Sequence, residues 1–168
     1  ALDEASSSTS PIDFQLILTS GFVSRTMAEN LISRVTVNLS NNYASTEMHL
    51  ATLLSTVADM DDLHWLSCGE GRTVEIVDEG ENLCPINVEG DIRIRLAELD
   101  CTEYMDDPEA TERIFRTGYF YPGDRAVRRA DGRIRVLGRS VDIVNFRGQK
   151  YSVAPIEENI QNVLGVSA

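Results

Sequence analysis

The 168-residue sequence predicts a mixed α/β (α+β) chain, and three patterns carry that prediction. A strand, a helix and a second strand follow one another between Pro11 and Leu39, the unit from which α/β sheets are built. From Val74 onward, short apolar runs alternate with Gly, Pro and Asp-Gly turn signals, as antiparallel strands do. Two further strands and an amphipathic helix end the chain. These shifts divide it into a linker or frayed lead-in over 1–10, an α/β part over 11–66, a β-rich part over 67–138 and a third part over 139–168.

Taken in order, Ser6-Ser7-Ser8-Thr9-Ser10 offers no apolar face and reads as linker. After Pro11, Phe14, Leu16 and Leu18 alternate with Gln15 and Ile17 in a short strand that stops at Ser20-Gly21. Ser24 caps a helix whose apolar positions Met27, Ala28, Leu31 and Ile32 repeat at helical spacing, and Val35 to Leu39 reads as the second strand. That strand runs into the polar cluster Ser40 to Glu47, where α/β sheets present ligand groups. Val74–Val77 and Ile92–Leu96 read as strands. Asp107 caps a helix with Pro108 in its first turn, a place where proline's missing N–H costs nothing. Arg125–Arg129 and Arg133–Leu137 flank Ala130-Asp131-Gly132, and Asp-Gly favours the positive φ angles of a tight hairpin. Strands at Ile143–Phe146 and Tyr151–Val153 turn at Arg147-Gly148-Gln149, and Pro155 opens a last helix through Ile156, Ile160, Val163 and Leu164.

Charge and composition narrow the function. With 15 Lys+Arg against 27 Asp+Glu, the formal charge of −12 argues against a general nucleic-acid surface, whose affinity rests on neutralising phosphates. Ten of the 15 basic residues fall between Arg113 and Lys150, either a surface facing an anion or a solvated, charge-laced face. No run approaches the ~18 apolar residues of a membrane span. Cys68, Cys84 and Cys101 are an odd set without metal-knuckle spacing, which points to a reducing, cytoplasmic setting. His49 and His64 lack triad partners, Asp59, Asp61 and Asp62 read as a solvated helix edge, and Trp65 reads as core.

Two clusters carry chemistry. Tyr43-Ala44-Ser45-Thr46-Glu47 joins an aromatic face, hydroxyl donors and a carboxylate within five residues, either a plain polar loop or a nucleotide site. In the second case the Tyr43 ring packs on adenine, the Thr46 hydroxyl donates to phosphate, and Glu47 is an oxygen ligand suited to Mg2+. Asp124, placed after the tight Pro122-Gly123 turn, can accept both hydroxyls of a ribose diol. Arg139, beyond the hairpin, offers a rigid fork to phosphate or ribose oxygen.

The order and spacing of these segments resemble the adenylate-forming (AMP-binding) superfamily of acyl-CoA synthetases, peptide-synthetase adenylation domains and luciferases. Ser20-Gly21 is similar to that family's Ser-Gly-Gly turn, Tyr43 to Glu47 to its Tyr-Gly-Ser-Thr-Glu motif, and Gly90-Asp91-Ile92 to its Gly-Glu-Leu/Ile strand. Thr117-Gly118 through Gly123-Asp124 resembles the tract ending in Thr-Gly-Asp, and Asp131-Gly132 the hairpin turn. Gly138-Arg139 and Arg147-Gly148 through Pro155 and Glu157 resemble the junction into the small C-terminal domain. The resemblance implies the end of a nucleotide-binding α/β subdomain, a β-rich, distorted barrel-like subdomain and the start of a small α+β domain. It implies that Tyr43, Asp124 and Arg139 bind ATP or AMP beside the Gly21-Phe22 turn, that Thr46 and Glu47 serve catalysis with Glu47 on Mg2+, and that Lys150 contacts the thiol acceptor. A carboxylic acid, fatty acids among the candidates, would be adenylated and passed to coenzyme A. A peptide-synthetase-type adenylation domain and a non-catalytic interaction module that kept the fold are the alternatives.

Departures accompany the match. Phe22 stands at the second glycine of the turn, Ala44 at a glycine, Pro122 at a threonine, and Val141 at the usual hinge acid or lysine. No Ser/Thr/Gly-rich phosphate loop precedes Tyr43, and the only lysine, Lys150, is not in the position of the family's catalytic one. The resemblance therefore implies a middle-to-late piece of a longer enzyme, inactive by itself.

Overall fold

The computed structural model describes residues 13–19, 23–60, 63–146 and 149–164. Gly21 and Phe22 therefore lie outside the described residues, as do the 1–10 lead-in, Ser20, Asp61, Asp62 and the Arg147-Gly148 turn.

The first sheet is built on β1 (Gln15–Thr19), which pairs in parallel with β2 (Asn38–Tyr43) across α1 (Arg25–Arg34). Ser24 caps α1 by accepting the Met27 N–H at 3.2 Å, and buried Ala28 packs with Leu39, Val57 and Leu63 against Leu16 and Leu18. The second strand starts at Asn38 instead of Val35. Val35 is the C-cap of α1, and the Thr36 hydroxyl donates to the Phe14 carbonyl at 2.5 Å while accepting the Asn38 N–H at 3.1 Å. A side chain that ties the backbone locally in this way delays entry into the ladder. β3 (Leu53–Thr56) and β4 (Ser67–Cys68) add antiparallel strands that the sequence pattern did not predict.

The second sheet centres on β6 (Gly90–Arg95), where Ile92 and Ile94 point inward and Asp91 and Arg93 outward. One edge of β6 pairs with β5 (Val74–Val77). Its other edge is shared by β9 (Asp124–Arg128) at Gly90-Asp91 and by β8 (Tyr119–Phe120) at Ile94-Arg95. β10 (Ile134–Arg139) lies beyond β9, and β7 (Phe115–Arg116) beyond β8. This branching leaves the sheet open, and no pairing among the described residues closes it into the barrel-like form that the resemblance implies. At Gly90, an added Cβ would lie 2.5 Å from the Val77 carbonyl oxygen and 2.6 Å from the Cys84 sulfur, so only glycine fits there.

The expected hairpin is present, as is α2 (Pro108–Ile114) behind its Asp107 cap. β11 (Ile143–Phe146) and β12 (Gln149–Ser152) form a separate antiparallel pair leading into α3 (Val153–Leu164). α3 begins two residues before Pro155, which costs no bond because the first four helical N–H groups have no partner inside the helix. Asp59 sits in a bend, not on a helix edge. Trp65 is half-buried beneath the Arg129 guanidinium, 4.8 Å above its ring, and is not a core residue.

Among the described residues, the two sheets are joined by one backbone bridge. The Leu66 N–H donates to the Ile134 carbonyl and the Ile134 N–H to the Leu66 carbonyl, each at 2.9 Å. Around that bridge lies the larger core of Met48, Leu53, Val74, Ile76, Ile92, Ile94, Phe115 and Phe120.

Candidate functional site

A cleft of about 870 Å³ opens where the end of β2 faces the β9/β10 hairpin, and Tyr43, Thr46, Glu47, Asp124 and Arg139 all line it. Tyr43 is the last residue of β2 and Asp124 the first of β9. Although 81 positions apart, they meet: the Tyr43 hydroxyl donates to Asp124 Oδ2 at 2.5 Å. Asp124 follows Gly123, whose φ of +77° suits glycine and turns the chain sharply into the strand. Arg139 lies directly opposite Asp124 in the hairpin ladder, after a register shift between Val136 and Gly138. Its Nε stands 3.3 Å from Asp124 Oδ1, and its Nη1 donates to the Pro122 carbonyl at 2.7 Å.

Burial pushes the Asp124 carboxyl above the usual carboxylate range, against the opposing pull of the Tyr43 hydrogen bond and the Arg139 charge. Burial and the facing Asp124 push the Tyr43 phenol up as well, so it stays a protonated donor. Asp124 thus accepts a hydrogen bond on one oxygen and faces the Arg139 charge with the other, an arrangement in which a ribose diol could take the place of the Tyr43 donor.

Thr46 and Glu47 sit in the turn after β2. The Tyr104 hydroxyl donates to Glu47 Oε1 at 2.6 Å, and the Thr46 hydroxyl to Oε2 at 3.2 Å. Burial alone would raise the Glu47 carboxyl, but hydrogen bonds, the Tyr104 bond foremost, hold it below its ordinary value. Burial and this same contact push the Tyr104 phenol up to about 12. Among the described residues no group of three or more His, Cys, Asp or Glu could cage a metal. An ionised carboxylate beside a hydroxyl fits Mg2+ in the mode that relies on one or two carboxylates plus substrate phosphates.

Behind the turn lies an ion pair that sequence reasoning missed. Arg72 and Asp100, with side chains 3% and 0% exposed, are joined by Nη1–Oδ2 at 2.5 Å and Nη2–Oδ1 at 2.8 Å. Asp100 also accepts the N–H groups of His49 and Ala97, and the Cys101 N–H donates to the Glu47 carbonyl. The basic segment is a charge-laced surface in large part. Arg125 pairs with Glu89, and Arg129 and Arg133 with Asp131. Lys150 is a residue of β12, paired with Asn145 of β11, and its side chain is outside the described part. His64 lines the cleft, while His49 is exposed.

Comparison with known proteins gives the following relatives. No family model matches the chain. It is 28% identical over 140 residues to acyl-coenzyme A synthetase ACSM2A, mitochondrial, of Homo sapiens, covering 81% of this chain and 24% of that protein. It is 34% identical over 138 residues to a plipastatin synthase of Bacillus subtilis, covering 76% of this chain and 4% of that protein. The chain therefore spans about a quarter of the length of the human relative. In structure it is similar to o-succinylbenzoate coenzyme A synthetase of Bacillus subtilis in complex with ATP and magnesium ion, with a TM-score of 0.77, 18% identity, and coverage of 90% of this chain and 32% of that one. Among the described residues no helix is long and apolar enough to cross a membrane. The mixed α/β architecture and these relatives point the same way: the chain is similar to one portion of acyl-CoA synthetases and other adenylate-forming ligases, consistent with a fragment of an AMP-binding family member.

Proposed function

We propose that this chain is a middle-to-late portion of an ATP-dependent acid–thiol ligase, which forms an acyl-adenylate from a carboxylic acid and passes the acyl group to coenzyme A. The observation that carries the reading is the convergence of Tyr43, Thr46, Glu47, Asp124 and Arg139 on one cleft from three separate stretches of sequence.

In this reading the Tyr43 ring walls the adenine. Asp124 gives up its bond from Tyr43 to accept the ribose hydroxyls, and Arg139 follows the same sugar. The Thr46 hydroxyl donates to an α-phosphate oxygen, and Glu47 holds the cation. Mg2+, when bound, offsets phosphate charge as the substrate carboxylate oxygen attacks the α-phosphorus. The bond to the bridging oxygen breaks, and pyrophosphate leaves with its electron pair. A thiol then takes the acyl group and releases AMP. The described residues thus supply position and charge without a covalent attack of their own. Lys150 is assigned to the thiol acceptor, and the Gly21-Phe22 turn to the nucleotide, by motif alone. Three free cysteines support a reducing, cytoplasmic setting.

The likeness to plipastatin synthase favours a second reading, an adenylation domain that loads a carrier-protein thiol. ATP–pyrophosphate exchange by the full-length protein, run over a panel of acids, tests both. Exchange with an acid supports the ligase, and acceptance of that acyl group by coenzyme A or by a carrier domain separates the two readings. No exchange with any acid class overturns the ligase and leaves a non-catalytic module.

A further inference from the structure

Glu47 does not stand free at the rim of the cleft. Its carbonyl accepts the Cys101 N–H at 2.9 Å, and its carboxylate takes one donor on each oxygen. The shorter bond comes from Tyr104, 57 positions along the chain. Tyr104 is itself fixed: its N–H donates to Thr111 Oγ1 at 2.8 Å, and the Thr111 hydroxyl donates to the Asp107 carbonyl at 2.8 Å. Its ring lies 5.4 Å from that of Phe115, which in turn packs 5.3 Å from Phe120 in the core. An ionised carboxylate accepts from about four directions. The Tyr104 and Thr46 hydroxyls therefore fix the carboxylate without using all of its acceptor capacity.

We propose that Tyr104 is a positioning residue for Glu47: its hydroxyl, anchored through Thr111 and Phe115, holds the carboxylate in the orientation from which it ligates the divalent cation of the nucleotide. The inference rests on the proposed function, in which Glu47 is that ligand. Long acidic side chains are flexible, and a cation that keeps most of its waters and phosphate ligands gains little from a carboxylate that must first be ordered. A hydrogen bond to a ligating carboxylate removes that ordering cost, and loss of such a partner typically lowers metal affinity by about 10- to 100-fold.

The test compares nucleotide binding by isothermal titration calorimetry in the full-length protein, with ATP in excess Mg2+ and with ATP in EDTA. Tyr104→Phe keeps the ring contact with Phe115 and removes only the hydroxyl. It is expected to weaken binding with Mg2+ about tenfold and leave binding in EDTA unchanged. Equal weakening in both conditions marks a merely structural role and overturns the inference. Glu47→Gln, run alongside, is expected to give the same Mg2+-specific loss. If it does while Tyr104→Phe binds like the wild type, the inference fails and the proposed function stands. If Glu47→Gln binds MgATP normally, the metal role of Glu47 fails and takes the inference with it. Should Tyr104→Phe not fold, Thr111→Val, which removes the acceptor for the Tyr104 N–H, is expected to show a smaller Mg2+-specific loss, and wild-type binding there overturns the inference.

Discussion

The Arg72–Asp100 pair yields the sharpest stability prediction. Asp100 accepts four hydrogen bonds, two from Arg72 at 2.5 and 2.8 Å and one each from the His49 and Ala97 amides at 2.9 and 2.8 Å. Asp100→Asn keeps the shape but offers a single oxygen, so two of these donors would face an NH2 group and the Arg72 charge would stay buried without its counter-ion. Removing one partner of a buried pair costs about 3–5 kcal/mol. In a chain of this size each kcal/mol moves the melting point by about 2–4 °C, so the expected fall is roughly 6–20 °C. Arg72→Met should cost a similar amount by stranding the carboxylate. The double variant should cost clearly less than the sum, with a coupling of about 2 kcal/mol in urea unfolding. Losses below about 1 kcal/mol for either single variant, the worth of an exposed pair, would refute the reasoning. Strict additivity would refute it equally.

Acid should reveal the same pair. Burial would raise the Asp100 carboxyl, but its bonds to Arg72 and the two amides outweigh this and lower it from 3.8 to about 2. Because the folded value lies below the unfolded one, the contribution is complete above about pH 4 and fades as pH falls through about 2. That is roughly 2 kcal/mol, so the difference in urea midpoint between the wild type and Asp100→Asn should shrink over that window. Asp124 behaves oppositely: burial raises its carboxyl, so its ionised form opposes folding at neutral pH. Asp124→Asn, whose amide oxygen can still accept from Tyr43, should therefore keep or raise the melting point. In the full-length protein it should weaken AMP binding about 10-fold or more, for loss of a charged acceptor to ribose. A stability loss above about 1 kcal/mol would count against that account. The 168-residue chain alone is expected to release no pyrophosphate from ATP with any acid, and release above background would contradict the part assigned to sequence beyond it.

What could be read from sequence was mostly what is encoded nearby. The Ser24 and Asp107 caps and the Asp131-Gly132 hairpin depend on contacts within a few residues, and all three are present. The second strand was displaced by a Thr36 hydroxyl bonding to a carbonyl 22 residues earlier, which no local pattern carries. β4, β7 and β8 are two residues each, too short for any period. The cleft residues were found as motif members, since neither Tyr43 nor Asp124 points to the other by spacing. Tyr104 and Asp100 escaped notice because both stand in a polar, acidic stretch from Leu99 to Glu109 that looks like solvated loop. Their partners, Glu47 and Arg72, are brought to them only by folding.

The reciprocal bridge between Leu66 and Ile134 has a consequence for ligand entry. Tyr43 pairs with Leu53 and Leu53 with Cys68, two residues beyond the bridge on one side. On the other side, the strand that starts at Ile134 ends at Arg139. The two walls are therefore riveted at a point where Leu66 and Ile134 are 4% and 0% exposed. The entropy of bringing the walls together is spent during folding, before any ligand enters the cleft. Under the proposed function, encounter with a nucleotide would then require only local exchange of the contacts on Asp124, and a preorganised cleft of this kind would lose little affinity to closure. The amide protons of Leu66 and Ile134 are a built-in gauge of that state, exchanging with solvent only when the two sheets part.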